Sequence, residues 1–446
     1  MATNGTARRS TRRPTRLAAI GVSALVTGSL LAGCADDGGS DSDTGRASDG
    51  DITLNVGLFG TFGFQEAGLY EEYEKLNPGV RIEQSVVERN ENYYPQLLTR
   101  LASNSGLADV QAVEVANIAE VTATQADKFV DLGGQEGVDQ GDWFDWKWQQ
   151  GTTADGRTIA LGTDIGPMAI CYRKDHFEAA GLPTERAEVS KLWAGDWEKY
   201  LETGEAFMAD GPDDVAWVDS ASGLYSAAIS SSESRYYDED GEVVYKDNPD
   251  VRAAWDIATA AAEAGMTDRH EQFTPPWDKA MNNGTFATLS CPAWMLGYIQ
   301  DKGGDKSADL WDVADAPRPG NWGGSFLGVP ETAKNKEEAA KFVAWLTAPE
   351  QQAKLFEERG SFPSAPASYE TPAVADATHD YFGDAPIGEI FARAAQDIPT
   401  QIIGPKDQII AENIGRSGVR QVEQKGLSPE DAWQEAVKAV DNALDE

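Results

Sequence analysis

Residues 52–86, ITLNVGLFGTFGFQEAGLYEEYEKLNPGVRIEQSV, decide the fold. Ile52, Leu54, Val56 and Leu58 alternate with other residues, which predicts a strand. Gly60 to Gly63 breaks that strand. A helix is expected from about Gln65 to Leu76, with Ala67, Tyr70 and Tyr73 on one face. Asn77-Pro78-Gly79 ends the helix and turns the chain, and Val80 to Val86 reads as a second strand. The alternation continues with a helix over Tyr93–Ser103, burying Leu97, Leu98 and Leu101, and a third strand over Val110–Val115. Strand and helix in turn predict an α/β fold with a largely parallel sheet.

A second α/β set begins near Ile159. Ile159–Leu161, Met168–Tyr172, Phe286–Cys291 and Phe326–Val329 read as strands, and Ala253–Glu263 as an alanine-rich helix. Lys336–Leu346 places Ala339, Phe342, Val343 and Leu346 on one helical stripe. Ser428-Pro429-Glu430-Asp431 is a helix start, with serine at the cap, proline in the first turn and acids behind it. There is no short internal repeat.

The chain begins differently. Its first 33 residues carry five arginines and no acid, and Leu17–Gly33 holds no charge. Basic residues, an apolar run and small residues before a cut describe a signal peptide. Cys34 follows Leu31-Ala32-Gly33, an arrangement similar to a bacterial lipobox, whose thiol receives a diacylglycerol. A lipid anchor at the outer face of the cell membrane is therefore expected. A secretory signal with an incidental cysteine and an uncleaved anchor helix are the competing readings. Arg12-Arg13 leaves twin-arginine export open beside the general route. Residues 34–50 have no large apolar side chain and read as a flexible acidic linker.

The formal net charge is −37 although the leader is basic, so the remainder is more acidic still. That surface repels phosphate backbones and excludes nucleic acid as a partner. It also repels anionic lipid, so membrane contact falls to the anchor. Three histidines without ligand spacing give no metal site, and no cofactor motif is present. Cys171 and Cys291 form an even pair in an oxidising compartment, which favours a disulfide over two buried thiols.

Several stretches, in order and spacing, resemble the sugar-binding proteins of ABC importers, the family that includes maltose-binding protein. They are Tyr70–Val80, Asp109-Val110, Ile159–Asp164 with Ala169–Asp175, Leu182-Pro183, Gly284–Thr288 with Cys291–Met295, and Gly323–Ser325 with Val329-Pro330. Cys171–Lys174, Cys291–Met295 and Asn321–Ser325 are similar more narrowly to actinobacterial cellobiose and cello-oligosaccharide binders. The resemblance implies a two-lobed periplasmic-binding-protein type II fold with hinge strands and a cleft. It places one lobe at 51–162 plus 330–368 and the other at 163–329 plus 369–446. It also implies a non-enzymatic, monomeric protein that delivers an oligosaccharide to permease subunits. A binder of xylo- or malto-oligosaccharides, of peptides or polyamines, or a secreted glycosidase are the rivals.

A sugar offers flat apolar faces edged with hydroxyls, so its site needs aromatic platforms and planar polar groups. Of thirteen tryptophans, Trp294 follows a buried strand, Trp322 adjoins Gly323 near a lobe crossing, and Trp277 sits in a proline turn. These are the expected platforms. Phe64 and Gln65, after the first strand, are candidates beside Phe62. Trp143, Trp146 and Trp148 read as packing residues. Asp164 at the first crossing and Glu114 at the end of the third strand could each grip two hydroxyls. Arg393 completes the candidate set.

Overall fold

A computed structural model describes residues 51–445. The expected signal peptide, Cys34 and the linker lie outside the described residues. Among the described residues nine strands form two sheets: β1 (Ile52–Phe59), β2 (Val80–Val87), β3 (Val110–Glu114), β4 (Leu161–Gly162), β5 (Met168–Arg173), β6 (Ala216–Val218), β7 (Phe286–Pro292), β8 (Trp311–Asp315) and β9 (Ser325–Gly328). The first sheet runs β2-β1-β3-β9-β4 and the second β6-β7-β5-β8.

In the first sheet β1 lies parallel to β2 and β3, while β9 runs antiparallel to β3 and β4. Parallel pairing requires a crossover between strands, and the helices Leu69–Leu76 and Asn90–Ser103 supply it. They cover opposite faces. Leu54, Val56 and Leu58 pack with Tyr70, Tyr73 and Phe342 on one side. Tyr93, Leu97 and Leu101 pack with Val113 and Phe326 on the other. The first helix is shorter than expected and starts at Leu69, because Gly63 and Gly68 adopt positive φ and residues 64–68 form turns instead.

Strand β5 is buried along its whole length. Its side chains alternate between two cores: Ile170 and Tyr172 enter one, Ala169 and Cys171 the other. Both neighbours of β5, namely β7 and β8, are antiparallel to it, so this sheet is mixed and not mainly parallel. Cys171 and Cys291 sit on the adjacent strands β5 and β7, with Cα atoms 5.4 Å apart, and form a disulfide.

Strand β9 falls within 163–329 of the sequence partition, yet it hydrogen-bonds into the first sheet. Leu327 and Phe326 fill that sheet's two cores. The helix Pro349–Arg359 touches both bodies: Leu355 joins the first core, whereas Ala353 and Phe356 join the second.

Three connections run side by side between the sheets. The stretch 163–167 leads from β4 to β5, and 316–324 returns from β8 to β9. Trp322 N donates to Gly166 O at 2.8 Å, and Gly166 N donates to Asn321 Oδ1 at 2.8 Å. Ile165 N donates at 2.8 Å to Phe362 O on the third connection, the stretch that follows the helix Pro349–Arg359. A Cβ on Gly166 would come within 1.9 Å of the Trp322 carbonyl, so only glycine lets the two segments touch.

Candidate functional site

Two cavities open beside these connections. The larger, about 1390 Å3, is bordered by Phe59, Gly60 and Asn90 from the first body and by Phe273, Trp294 and Tyr298 from the second. The smaller, about 340 Å3, is bordered by Asn90, Glu114, Tyr225, Arg235, Trp322 and Gly323 among others. Asn90 lines both. Trp294 belongs to the larger cavity and Trp322 to the smaller, and their rings meet edge to face, centroids 6.0 Å apart. The pair therefore stands where the cavities adjoin.

The local sequence explains how Trp294 gets there. Strand β7 is entirely buried and ends at Pro292; the helix Met295–Gly303 begins three residues later. Trp294 is left half-buried at the junction. Its Nε1 donates to the Trp322 carbonyl at 2.9 Å. Gly323 follows with φ 109°, and a Cβ there would press within 2.8 Å of the same indole nitrogen. Trp294, Trp322 and Gly323 are thus one mutually supporting unit, as three of the expected site residues.

Glu114 joins them on the rim of the smaller cavity. It caps the helix Val115–Thr124 by accepting from Ala116 N at 2.9 Å. Burial raises its carboxyl to about 7, against the pull of the Lys147 ammonium. Lys147 carries no sequence signal that separates it from other lysines. It is fully buried, its Nζ lies 3.7 Å from the Phe326 ring centroid, and that nitrogen has no hydrogen-bond partner. Burial lowers it to about 7 while Asp164 and Glu114 pull it back up.

The other expected residues go elsewhere. Phe64 is 1% exposed and packs against Phe62 and Tyr70, so it has no free face for a ligand. Gln65 is exposed but accepts from Gln84 on β2, the outer strand of its sheet, and lines neither cavity. Asp164 is committed to the hinge: its Oδ1 accepts from Ser325 N at 2.9 Å and from Thr163 Oγ1 at 2.7 Å. Trp277 is wholly buried, with its indole nitrogen on Asp219 at 2.9 Å. Arg393 pairs with Asp315 at 2.7 Å and with Glu389 beside a separate surface depression. Trp143 and Trp146 are core residues, as expected.

Sequence reasoning missed Phe59, Asn90, Phe273, Tyr298 and the ion pair of Arg235 with the buried Asp407, whose Nη2 and Oδ2 lie 2.7 Å apart on the smaller cavity. Asn90 Oδ1 is buried and without a partner. Only Phe59 had a usable signal, since it ends β1 at the glycine break. The rest come from segments far apart in the chain. Together these groups offer aromatic faces, a carboxylate, carboxamides and a guanidinium, which is chemistry for binding a polar, partly apolar ligand. Among the described residues there is no cluster suited to a metal ion, and no helix is long and apolar enough to cross a membrane.

A family model described as bacterial extracellular solute-binding protein matches residues 68–382. The chain belongs to that family. It is a family of binding proteins, not of enzymes, and its extracellular character fits the export signal read from the N-terminus. A solved family 1 extracellular solute-binding protein is 40% identical, with a TM-score of 0.81 over 88% of this chain and 99% of its own. The ABC transporter associated binding protein of B. animalis subsp. lactis Bl-04, solved with beta-1,6-galactobiose, is 22% identical, with a TM-score of 0.71 over 88% and 97%. The galacto-N-biose/lacto-N-biose I-binding protein of Bifidobacterium longum is 17% identical, with a TM-score of 0.73 over 89% and 98%. These last two share the two-domain α/β fold. A search of curated protein sequences found no match.

Proposed function

We propose that this solute-binding protein captures an oligosaccharide outside the cell and delivers it to the permease of an ABC importer. The observation that carries the reading is the Trp294–Trp322 pair, set between two cavities and ringed by Glu114, Asn90 and Arg235. Apolar ring faces beside bidentate polar groups match the two faces of a sugar. The structurally similar binding proteins for galactobiose and lacto-N-biose support the same reading.

Cello-oligosaccharides are the proposed ligands. Of the residues similar to cello-oligosaccharide binders, Trp294, Trp322 and Gly323 border the cavities, whereas Cys171 is a disulfide partner and Arg173 pairs with Asp175. The larger cavity gives room for more than one sugar unit. The protein works as a monomer tethered through a lipid on Cys34, with lobes divided near the crossings at 163–167 and 316–324. Closure is driven by contacts that the ligand makes only when both bodies engage it.

The test is a thermal-shift screen with cello-, xylo- and malto-oligosaccharides, short peptides and polyamines. A shift with cello-oligosaccharides alone supports the reading. A shift only with peptides or amines overturns it, and turnover of a chromogenic glycoside would make the protein an enzyme.

A further inference from the structure

Phe273 combines two unfavourable features. The residue is 39% exposed, and its backbone sits at φ 61°, in the left-handed region that side chains with a Cβ avoid. A residue persists there only when its surroundings over-determine it. Here several close neighbours in the chain are tied down. The Glu271 carboxylate pairs with Arg416 and Arg420, each at 2.9 Å. Gln272 Nε2 donates to Asp219 Oδ2 at 2.7 Å, and Trp277 Nε1 donates to the same oxygen at 2.9 Å. Thr274 Oγ1 donates to Glu271 O, and Asp278 accepts from the Tyr298 hydroxyl at 2.5 Å.

Asp219 is the centre of this bracket. It is fully buried at the end of β6, and its other oxygen, Oδ1, has no partner. A single carboxylate oxygen thus grips residues on both sides of Phe273. The ring that the bracket pushes out lies 6.1 Å from Trp294, 5.2 Å from Trp277 and 5.6 Å from Tyr298, and it borders the larger cavity.

We infer that Phe273 is a ligand-contacting aromatic of the cleft, held ready by Asp219 acting as a positioning residue. The inference rests on the sugar reading above for the ligand class, and it explains why Trp277 is buried: it is part of the mount and Phe273 is the platform. A preset ring loses less freedom on binding, which favours affinity.

The experiment uses the folded protein with Phe273→Ala, Phe273→Gly, Phe273→Tyr, Asp219→Asn and Trp277→Phe. The probe is the panel sugar that raises wild-type melting most. Phe273→Ala and Phe273→Gly should each weaken binding roughly tenfold or more, and Phe273→Tyr should retain it. Without ligand, Phe273→Gly should be more stable than Phe273→Ala, the reverse of the usual order, because only glycine relieves the positive φ. Asp219→Asn, or Trp277→Phe if that variant fails to fold, should weaken binding in the wild type but add nothing to Phe273→Ala. Unchanged affinity in Phe273→Ala overturns the contact. Alanine more stable than glycine overturns the strained mount. An equal loss from Asp219→Asn or Trp277→Phe in both backgrounds overturns the positioning role. If the wild type binds no panel sugar, the sugar reading fails and the contact assignment with it. The ligand-free order still decides the mount.

Discussion

Trp294→Ala is the perturbation that most directly examines the site. On the ligand side, the variant deletes an aromatic face. Removing that apolar contact costs about 1.5–3 kcal/mol, or roughly ten- to a hundredfold in Kd. On the protein side, it deletes more than a bystander. The indole N–H holds the Trp322 carbonyl at 2.9 Å, and the ring packs against Trp322 and Phe273. The hydrogen bond contributes about 0.5–1.5 kcal/mol net, and each aromatic contact a similar amount. Trp294 is only partly buried and lies outside the packed centre of its body, so an unfolding loss of about 2–3 kcal/mol is expected, not collapse. Trp294→Phe separates the two effects: it keeps a ring face but cannot donate to Trp322. Titration calorimetry should rank affinity as wild type, then Trp294→Phe, then Trp294→Ala. Urea unfolding should place both variants below wild type with unchanged m. A Kd for Trp294→Ala within twofold of wild type would refute the placement of the ligand against this ring.

Further outcomes follow from other parts of the molecule. Burial raises Glu114 from 4.5 to about 7, so its proton favours the folded state; that stabilisation is complete below pH 4.5 and lost as pH rises through 7. Lys147 runs the other way: its stabilisation is present above 10.5 and lost as pH falls through 7. Glu114→Gln should therefore flatten the decline in stability between pH 4.5 and 7, by on the order of 1–3 kcal/mol, and an unaltered pH profile would count against the burial of that carboxyl. Replacing both Cys171 and Cys291 by alanine opens a link across 120 residues and should destabilise the fold by up to about 5 kcal/mol in the chain-entropy model. Thiol titration of residues 51–446, denatured and unreduced, should find none free. Cys34→Ser should release the protein from membranes with sugar affinity intact; a variant that stays bound would point to an uncleaved helix.

The secondary-structure plan was legible in local pattern alone. Alternation in Ile52–Leu58, the helical stripe of Lys336–Leu346 and the capped start at Ser428 depend on neighbours within one or two turns, and all three stand in the structure. The Ser428 hydroxyl accepts from Asp431 N as its position suggested. The likeness of ordered segments along the chain was enough to name the family. Strand ends and glycine loops were enough to single out Trp294, Trp322, Gly323 and Glu114, which border the two cavities.

Which aromatics face the cavities depends on contacts between distant segments. Phe64 and Trp277 look exposed on the chain, because glycines and prolines surround them. Each is buried once the chain folds: Phe64 between Phe62 and Tyr70 as residues 64–68 turn back, and Trp277 against Asp219 some sixty residues earlier. Phe273 has no periodic pattern to announce it, and its neighbours Gln272 and Glu271 are held by Asp219, Arg416 and Arg420 from distant segments. Asp164 and Lys147 meet only because the crossings bring β3, β4 and β9 against one short helix. Local pattern records which face of an element is apolar; what covers that face, and which ring is left uncovered, depends on contacts between segments that the pattern does not encode.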